Sequence, residues 1–254
     1  MLFPIVGSLW DKKYRVDGKE YSLEQHGFAR DMDFHLVSSD ENTLWYELKS
    51  DAETLAKYPY AFTLKIGYKL TGNKIQVMWE VSNNDGKTMY FQIGAHPAFY
   101  YPDFNPDTEE RGAFRLYKRG ENGEMKPLET LKYILISEKG CADTEHVYEL
   151  ETPEGKLPLT TSTFDRDALI IENQQVSKVV LESCAGEPFV SVEFDSPALG
   201  MWSPAGLNAP FVCIEPWYGR CDRKGFTGPL DEKDLVNALA PGQVFRTGYT
   251  IEVF

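Results

Sequence analysis

The stretch that decides the fold is Phe62-Thr63-Leu64-Lys65-Ile66-Gly67-Tyr68-Lys69, followed after a short loop by Ile75-Gln76-Val77-Met78-Trp79-Glu80-Val81. Apolar residues occupy every second position in both segments, apart from Met78 on the polar side. This alternation is typical of a β-strand with one buried face. The intervening Thr71-Gly72-Asn73 favours a hairpin loop. The two segments therefore predict a pair of antiparallel strands.

Strand patterns continue on both sides of this hairpin. A turn at Asn83-Asn84-Asp85-Gly86 leads into residues 88–93, and aromatic and β-branched residues fill later strand candidates at 176–182, 189–194, 211–215 and 247–253. Helical periodicity is scarce, and only residues 51–57 and 232–238 favour a short helix or a turn of one. The sequence thus predicts an all-β fold, a large antiparallel β-sandwich that forms a single domain over residues 1–254.

Composition excludes some classes of partner. The chain has 26 basic and 39 acidic residues and a formal net charge of −13, which argues against nucleic acid and anionic membranes because the field would repel both. No apolar stretch approaches the roughly 20 residues of a membrane span, and no secretory signal is visible. The four cysteines lack CxxC spacing, Cys213 looks like a small hydrophobic residue, and a reducing cytoplasm is the predicted location.

Two ionisable residues have a similar setting at predicted strand ends. Glu215 closes the apolar run Phe211-Val212-Cys213-Ile214 and precedes Pro216, which we expect to stop the strand. Burial raises the pKa of a carboxyl group toward neutrality, where the group can serve as a base. His96 precedes Pro97 in the same way. Each residue alone could be a satisfied polar group of the core, but together they indicate an acid and base pair.

The other three histidines are less distinctive. His26 opens the segment His26-Gly27-Phe28-Ala29-Arg30, where Gly27 permits positive φ or a close backbone approach. Taken alone, this segment slightly favours a turn that carries a surface histidine. His35 and His146 have no motif around them, and we assign both to structural roles.

Four segments occur in a recognisable order: Leu2-Phe3-Pro4-Ile5-Val6-Gly7, His26-Gly27-Phe28-Ala29-Arg30, Gly94-Ala95-His96-Pro97-Ala98-Phe99 and Cys213-Ile214-Glu215-Pro216-Trp217. This order resembles the aldose 1-epimerase (galactose mutarotase) family over nearly the whole chain, and more narrowly its LacX-like branch. The resemblance implies a β-sandwich of the galactose-mutarotase type that interconverts the α and β anomers of a free aldose without a cofactor. Family members usually have strands ahead of the first segment, so we expect the sandwich to lack those N-terminal strands.

The resemblance also implies roles for individual residues. His96 matches the general acid of the family, Glu215 its general base, and His26 the histidine that hydrogen-bonds sugar hydroxyls. Arg30 is a candidate sugar or phosphate contact. Asp167 lies where the family often has a substrate-binding aspartate, although an alignment shifted by two residues would select Asp165. No metal site is implied.

Aromatic residues near the motifs are candidates for the surface on which the sugar ring rests. Phe28, Phe99, Trp202 and Trp217 adjoin a motif or a strand end, and Trp217 and Phe99 are the first choices. The alternative is that these rings fill the core, as most aromatic residues do. We expect His96 and Glu215 to face each other across a space as wide as a pyranose.

Two other functions remain open at this point. A hexose-6-phosphate 1-epimerase would need basic residues beside the pocket, for which Arg30 with Arg15, Lys12 or Lys13 are candidates. A non-catalytic carbohydrate-binding protein could keep the same pocket. A glycosidase ranks last, because it needs two carboxylates across the scissile bond and only Glu215 is well placed. The predicted partner is a small sugar, and the sequence indicates no oligomeric state.

Overall fold

Antiparallel strands dominate the structure, a computed structural model that describes residues 1–254. The first nine strands are β1 (Lys13–Val16), β2 (Lys19–Ser22), β3 (His35–Ser39), β4 (Thr43–Lys49), β5 (Phe62–Thr71), β6 (Lys74–Asn83), β7 (Met89–Phe91), β8 (Ile93–Gly94) and β9 (Ala98–Tyr100). The next six are β10 (Glu110–Arg119), β11 (Met125–Pro127), β12 (Thr130–Ile136), β13 (Ala142–Glu151), β14 (Lys156–Thr160) and β15 (Leu169–Ile171). The last six are β16 (Lys178–Glu182), β17 (Pro188–Phe194), β18 (Ala198–Trp202), β19 (Phe211–Tyr218), β20 (Asn237–Leu239) and β21 (Val244–Val253). The prediction of an all-β antiparallel fold is confirmed.

Helical structure is limited to one short α-helix and five 3₁₀ segments. Helix α1 (Ala52–Lys57) follows the N-cap Asp51, whose side chain accepts a hydrogen bond from the Thr54 amide while the Thr54 hydroxyl accepts one from the Asp51 amide. This reciprocal capping satisfies two donors that the first turn leaves open, and it explains why the predicted helix at 51–57 forms. With six residues, α1 is far too short to cross a membrane. The 3₁₀ segments are Trp10–Lys12, Ala29–Asp31, Glu138–Gly140, Pro153–Gly155 and Leu230–Glu232.

The second predicted helix, at 232–238, is wrong. The 3₁₀ turn Leu230–Glu232 ends where this helix was expected to begin, and strand β20 follows and pairs with β7. Ala238 faces Tyr90 in that ladder. Pairing with a distant strand overrides the weak local helical preference here, a common outcome for short segments.

The chain folds into two compact units. The first contains residues 1–95, 137–142 and 217–249. Its largest sheet has the strand order β6-β5-β4-β3, and the predicted hairpin is its β5–β6 pair, with Phe62 opposite Asn83 and Thr71 opposite Lys74. The aromatic core of this unit contains Phe3, Phe62 and Phe91, all fully buried.

The second unit contains residues 96–136, 143–216 and 250–254. One of its sheets has the order β11-β10-β16-β17, with β14 also pairing with β10, and the other runs β13-β12-β15-β18-β19-β9. The strand predictions at 176–182 and 189–194 correspond to the antiparallel pair β16–β17. Buried aliphatic and aromatic residues form its core: Phe114, Leu116, Leu131, Ile170, Val179, Leu181, Val192 and Met201.

Strand β19 contributes residues to both units, and it corrects one expectation. The strand does not stop at Pro216 but continues to Tyr218. It pairs with β9 through residues 211–213 and with β8 through Trp217 and Tyr218, so Pro216 belongs to neither pairing. Proline cannot donate to a β-ladder, and its position between the two pairings explains why the strand tolerates it. Glu215 therefore lies inside a strand, not at its end.

Candidate active site

The register of β19 explains how His96 and Glu215 meet. Trp217 is opposite Gly94 in β8, and Cys213 is opposite Ala98 in β9, so the same antiparallel register holds on both sides of the link 95–97. Continued across the link, this register places His96 opposite Glu215. The amide of Ile214 donates to the carbonyl of Pro97 at 3.3 Å, as that register requires. Opposite residues of an antiparallel pair project to the same face.

The His96–Glu215 pair is in direct contact. Nδ1 of His96 lies 3.4 Å from Oε1 of Glu215, and the carboxylate side chain is 2% exposed while the imidazole side chain is 32% exposed. The expectation of a pyranose-wide space between them is wrong, because side chains that are opposite in a ladder start only about 4.5–5.5 Å apart at Cβ. The arrangement joins a buried carboxylate to a ring that reaches solvent and can exchange protons there.

Cys213 belongs to the same face of β19 as Glu215, because residues two apart in a strand project the same way. Its side chain is 1% exposed. Burial, and then the negative charge of Glu215, raise the pKa of the Cys213 thiol well above its ordinary value. One ligand atom from each of His96, Cys213 and Glu215 lies within 4.8 Å of the others. We refer to these three residues as the donor cluster. The sequence pattern predicts only a small hydrophobic residue at position 213.

An aromatic ring in contact with His96 is that of Trp202, at the end of β18. The two ring centroids are 5.6 Å apart at an interplanar angle of 85°, and Trp202 in turn contacts Phe211 at 6.3 Å. Phe99, one of the two first choices for a sugar contact, is opposite Val212 in the ladder. Alternation along β9 therefore directs Phe99 to the sheet face opposite to that of Cys213 and Glu215. The register gives no support for Phe99 as the sugar platform.

Asp167 lies just before β15 in the second unit, with a left-handed φ of 73°. Its Oδ1 accepts a hydrogen bond from the Ala168 amide at 2.7 Å, and the residue is exposed. Since Leu169 pairs with Met201, Asp167 lies beyond the end of β15 at which Trp202 is found. Its predicted role in binding substrate stays a prediction, as does the shifted alternative Asp165.

His26 lies in the first unit and is 7% exposed. Its Nδ1 accepts a hydrogen bond from the Gly7 amide at 3.0 Å, so the proton of the neutral ring is on Nε2. Gly27 holds this segment against the chain, because it has φ +72° and an added Cβ would lie 2.3 Å from the Phe3 carbonyl oxygen. This close approach is the physical reason for glycine after His26.

Arg30 and Trp217 also belong to the first unit. The Arg30 side chain is half exposed, and its Nε lies 3.7 Å from Asp31 Oδ1. Trp217 is 6% exposed, and its indole Nε1 is a buried donor with no hydrogen-bond partner. An added Cβ at Gly94 would lie 2.8 Å from Cδ1 of the indole, so the ring occupies the space of a side chain at residue 94. The predicted sugar contacts of both residues stay predictions.

Comparison with protein families and curated proteins gives concordant matches. A family described as aldose 1-epimerase matches residues 3–224. The chromosomal and plasmid forms of the protein LacX from Lactococcus lactis subsp. lactis are each 30% identical to this chain over 260 residues, covering 100% of the chain and 84% of the relative.

Solved structures that resemble this chain also belong to galactose mutarotase-like proteins. A galactose mutarotase related enzyme from Lactobacillus acidophilus superposes with a TM-score of 0.88 at 32% identity, covering 100% of this chain and 81% of that one. A galactose mutarotase-like protein from Lactobacillus casei superposes with a TM-score of 0.89 at 29% identity, covering 100% and 84% respectively. These matches confirm the prediction of an antiparallel β-sandwich of the galactose-mutarotase type and the resemblance to LacX.

Proposed function

Because the chain belongs to the aldose 1-epimerase family, we propose that it interconverts the α and β anomers of a hexose by opening the ring, with His96 as the acid and Glu215 as the base. The observation that carries the proposal is the 3.4 Å contact between a buried carboxylate and an imidazole that is one-third exposed. An isomerase of this kind needs two proton-transfer groups and no third reactant.

The chemistry takes place at a single carbon of the sugar. Glu215 removes the proton from the C1 hydroxyl as His96 protonates the ring oxygen, and the bond between C1 and the ring oxygen breaks. Both oxygens are bonded to C1, so an acid and a base that are close neighbours can serve them together. The edge of the sugar that carries C1 would approach from the exposed side of the imidazole.

The second half of the reaction repeats the first in reverse. The aldehyde rotates about the C1–C2 bond and presents its other face to the C5 hydroxyl. His96, now neutral, accepts the proton of that hydroxyl as the new bond forms, and Glu215 returns its proton to the C1 oxygen. Both groups end in their starting protonation states, so the pair serves either direction. Positioned acid–base groups typically contribute about 10²–10⁴-fold each.

A neutral sugar suits this chain better than a phosphorylated one. Three of the four basic candidates for a phosphate site already have acidic partners at short distances: Lys12 with Glu24 at 2.7 Å, Lys13 with Glu20 at 2.6 Å and Arg15 with Glu20 at 2.9 Å. Each phosphate contact would have to compete with a carboxylate that is already there. The net charge of −13 acts in the same direction.

Other sugar contacts are proposed on weaker grounds. His26 follows from the family resemblance, and its Nδ1 already accepts a hydrogen bond from the Gly7 amide. Trp217 follows from the same resemblance, and its buried Nε1 has no hydrogen-bond partner. Arg30 and Asp167 follow from the family resemblance alone. Among the aromatic residues, we now favour Trp202 over Phe99, because Trp202 contacts His96.

Anomer exchange measured directly would test the proposal. Purified protein is mixed with freshly dissolved α-glucose or α-galactose, and the approach to equilibrium is followed by polarimetry. We expect strong acceleration by the wild-type protein, and a loss of about 10²–10⁴-fold in kcat/KM for both His96→Ala and Glu215→Gln. His146→Ala is the matched control, since His146 is exposed and its ring contacts a carboxylate of its own strand, Asp143, at 2.8 Å.

The alternatives give different results in the same assay. A rate preference for glucose 6-phosphate over glucose would indicate the hexose-6-phosphate 1-epimerase. Sugar binding in a calorimeter without any acceleration of exchange would indicate a non-catalytic carbohydrate-binding protein. Equal rates for the wild type and the three variants would reject the assignment of His96 and Glu215.

A further inference from the structure

The donor cluster contains a group that the proposed reaction does not use. His96 and Glu215 exchange protons with the sugar, but the Cys213 thiol has no part in either half of that reaction. It is almost fully buried. Burial and the charge of Glu215 oppose its ionisation, so the residue keeps its proton when no cation is present. A thiol, an imidazole and a carboxylate in one place are nevertheless a ligand set for a metal ion.

The types of donor select among the ions. Thiolate and imidazole are preferred by Zn²⁺ and its neighbours in the first transition series, whereas Mg²⁺ and Ca²⁺ prefer oxygen ligands alone. Three protein ligands, with a fourth position open to water, are the usual arrangement of zinc sites that are accessible to solvent. The partial exposure of the His96 ring leaves one side of the donor cluster open to solvent.

The distances are close to what zinc requires. Bonds of about 2.0–2.3 Å at tetrahedral angles place the ligand atoms about 3.3–3.8 Å apart. The His96 and Glu215 atoms already meet this condition at 3.4 Å. The whole set lies within 4.8 Å, so the longest separation must shrink by roughly 1 Å. Rotation of the side chains can supply such a change without moving the strand.

We propose that His96, Cys213 and Glu215 form a Zn²⁺ site. On binding, the S–H proton of Cys213 leaves to water, the neutral imidazole binds through its ring nitrogen and the carboxylate binds as the anion. The thiol releases one proton for each ion, an imidazole that starts as the protonated acid of the proposed reaction releases a second, and a water molecule completes the coordination. The charges of the ion, the thiolate and the carboxylate cancel, which favours the complex in a largely buried place.

One consequence rests on the proposed function. Zinc would occupy both proton-transfer groups, so micromolar or tighter binding would make it an inhibitor of anomer exchange that competes with the sugar. The site itself does not depend on that function. It can therefore be tested without any sugar.

The test is a metal titration of the whole protein after dialysis against a chelator. Co²⁺ is added as a spectroscopic probe, because a thiolate bound to cobalt gives a charge-transfer absorption in the near ultraviolet. We expect this band to appear at one equivalent of Co²⁺ and to be abolished by one equivalent of Zn²⁺. Cys213→Ser should remove the band and weaken Zn²⁺ binding, measured by calorimetry, by at least ~10-fold, since loss of even a supporting partner of a ligand costs this much.

Two further variants keep the test informative if Cys213→Ser folds poorly. Glu215→Gln removes a different ligand and should also weaken Zn²⁺ binding by at least ~10-fold, while the thiolate band persists at higher Co²⁺. Cys184→Ser is the matched control, because Cys184 is exposed and lies outside the donor cluster. Its zinc affinity should equal that of the wild type.

Several outcomes would overturn the site. These are the absence of a stoichiometric band in the wild type, a band lost in Cys184→Ser, or zinc binding lost in His146→Ala, which would indicate the surface His146–Asp143 pair instead. A wild type that binds zinc but exchanges no anomers would leave this site in place and reject the proposed function. Fast exchange without zinc binding would do the reverse.

Discussion

Two buried carboxylates of this protein have opposite surroundings. Glu215 and Asp222 are both 2% exposed. Asp222 accepts hydrogen bonds from the Lys233 ammonium at 2.5 Å and the Trp10 amide at 2.8 Å, and the Asp222 and Lys233 side chains are each 1% exposed. Glu215 has as neighbours a partly exposed imidazole and a protonated thiol. The Asp222 carboxylate is paired with a buried ammonium group, whereas the Glu215 carboxylate is next to an imidazole that solvent reaches.

This difference shows why burial alone does not identify a site. Asp222 and Lys233 neutralise each other out of reach of solvent, so neither can take a proton from a ligand and pass it on. The His96–Glu215 pair has the opposite properties, because histidine is the side chain most often used for proton transfer and this ring is partly exposed to solvent. A buried carboxylate becomes a candidate base through its partner. Two substitutions test this distinction, and the acid pH dependence of a third carboxylate, Asp234, gives the smallest expected effect.

The largest expected effect on stability comes from Asp222→Asn. The substitution keeps the size of the side chain but leaves the Lys233 ammonium buried without a counter-ion. Breaking a buried pair in this way typically costs about 3–5 kcal/mol of the free energy of unfolding. Denaturant titration would measure the loss. Asp231→Asn, an exposed neighbour in sequence, should change stability by no more than about 0.5 kcal/mol. A small effect of Asp222→Asn would show that the buried Asp222–Lys233 pair contributes little to stability, contrary to what we expect.

Glu215→Gln should have a much smaller effect on stability despite equal burial. An amide of the same shape replaces the carboxylate, and the neighbouring His96 ring is 32% exposed, so no fully buried charge is left without a partner. We expect the free energy of unfolding to change by less than about 1 kcal/mol. The same denaturant titration tests this, and the activity loss in this variant would then be free of a folding defect. If Glu215→Gln cost as much as Asp222→Asn, the two carboxylates would not differ in the way described.

The smallest expected effect concerns acid pH and Asp234, which pairs with Arg220 at 2.8 Å and Arg223 at 2.7 Å. Burial acts to raise the pKa of Asp234, but hydrogen bonds and charges from the two arginines outweigh it and hold the pKa below its usual range. The stabilisation is therefore complete above the unfolded-state pKa of about 3.9 and is lost as pH falls through the lower folded-state value.

Unfolding midpoints measured from pH 6 down to pH 3 would reveal this contribution. The wild type should lose stability below about pH 4, and Asp234→Asn should flatten that part of the curve. Asp231→Asn should leave the slope unchanged. An identical acid slope in wild type and Asp234→Asn would show that the arginine pairs contribute nothing through this carboxyl group.

Local patterns predicted those parts of the fold that depend on short-range order. Alternation over 62–69 and 75–81 identified the central hairpin, because one buried face leaves a period of two in the sequence. Residues 51–57 were expected to form a short helix or a turn of one, and they contain the single α-helix. The segments around His96 and Glu215 identified two residues that the structure brings together.

The parts that sequence missed depend on pairing between distant strands. Pro216 was expected to end β19, yet the strand continues because the proline falls between two ladders. The contact between His96 and Glu215, instead of a gap, follows from a register that one sequence does not specify. Cys213 could have been found: residues 211, 213 and 215 alternate, so a thiol two positions before the candidate base shares its face. The same register directs Phe99 to the sheet face opposite to that of Glu215.

The number of residues in the link 95–97 is fixed by the strand pairing on each side of it. Both of its ends are fixed against a single strand, at Gly94–Trp217 and at Ala98–Cys213, and the register is the same on each side. Deleting one residue would force a slip in one ladder and turn the histidine toward the other surface of the sheet, while adding one would lift it away from its carboxylate. We therefore expect relatives that have both residues to accept insertions in many loops but none between these two ladders.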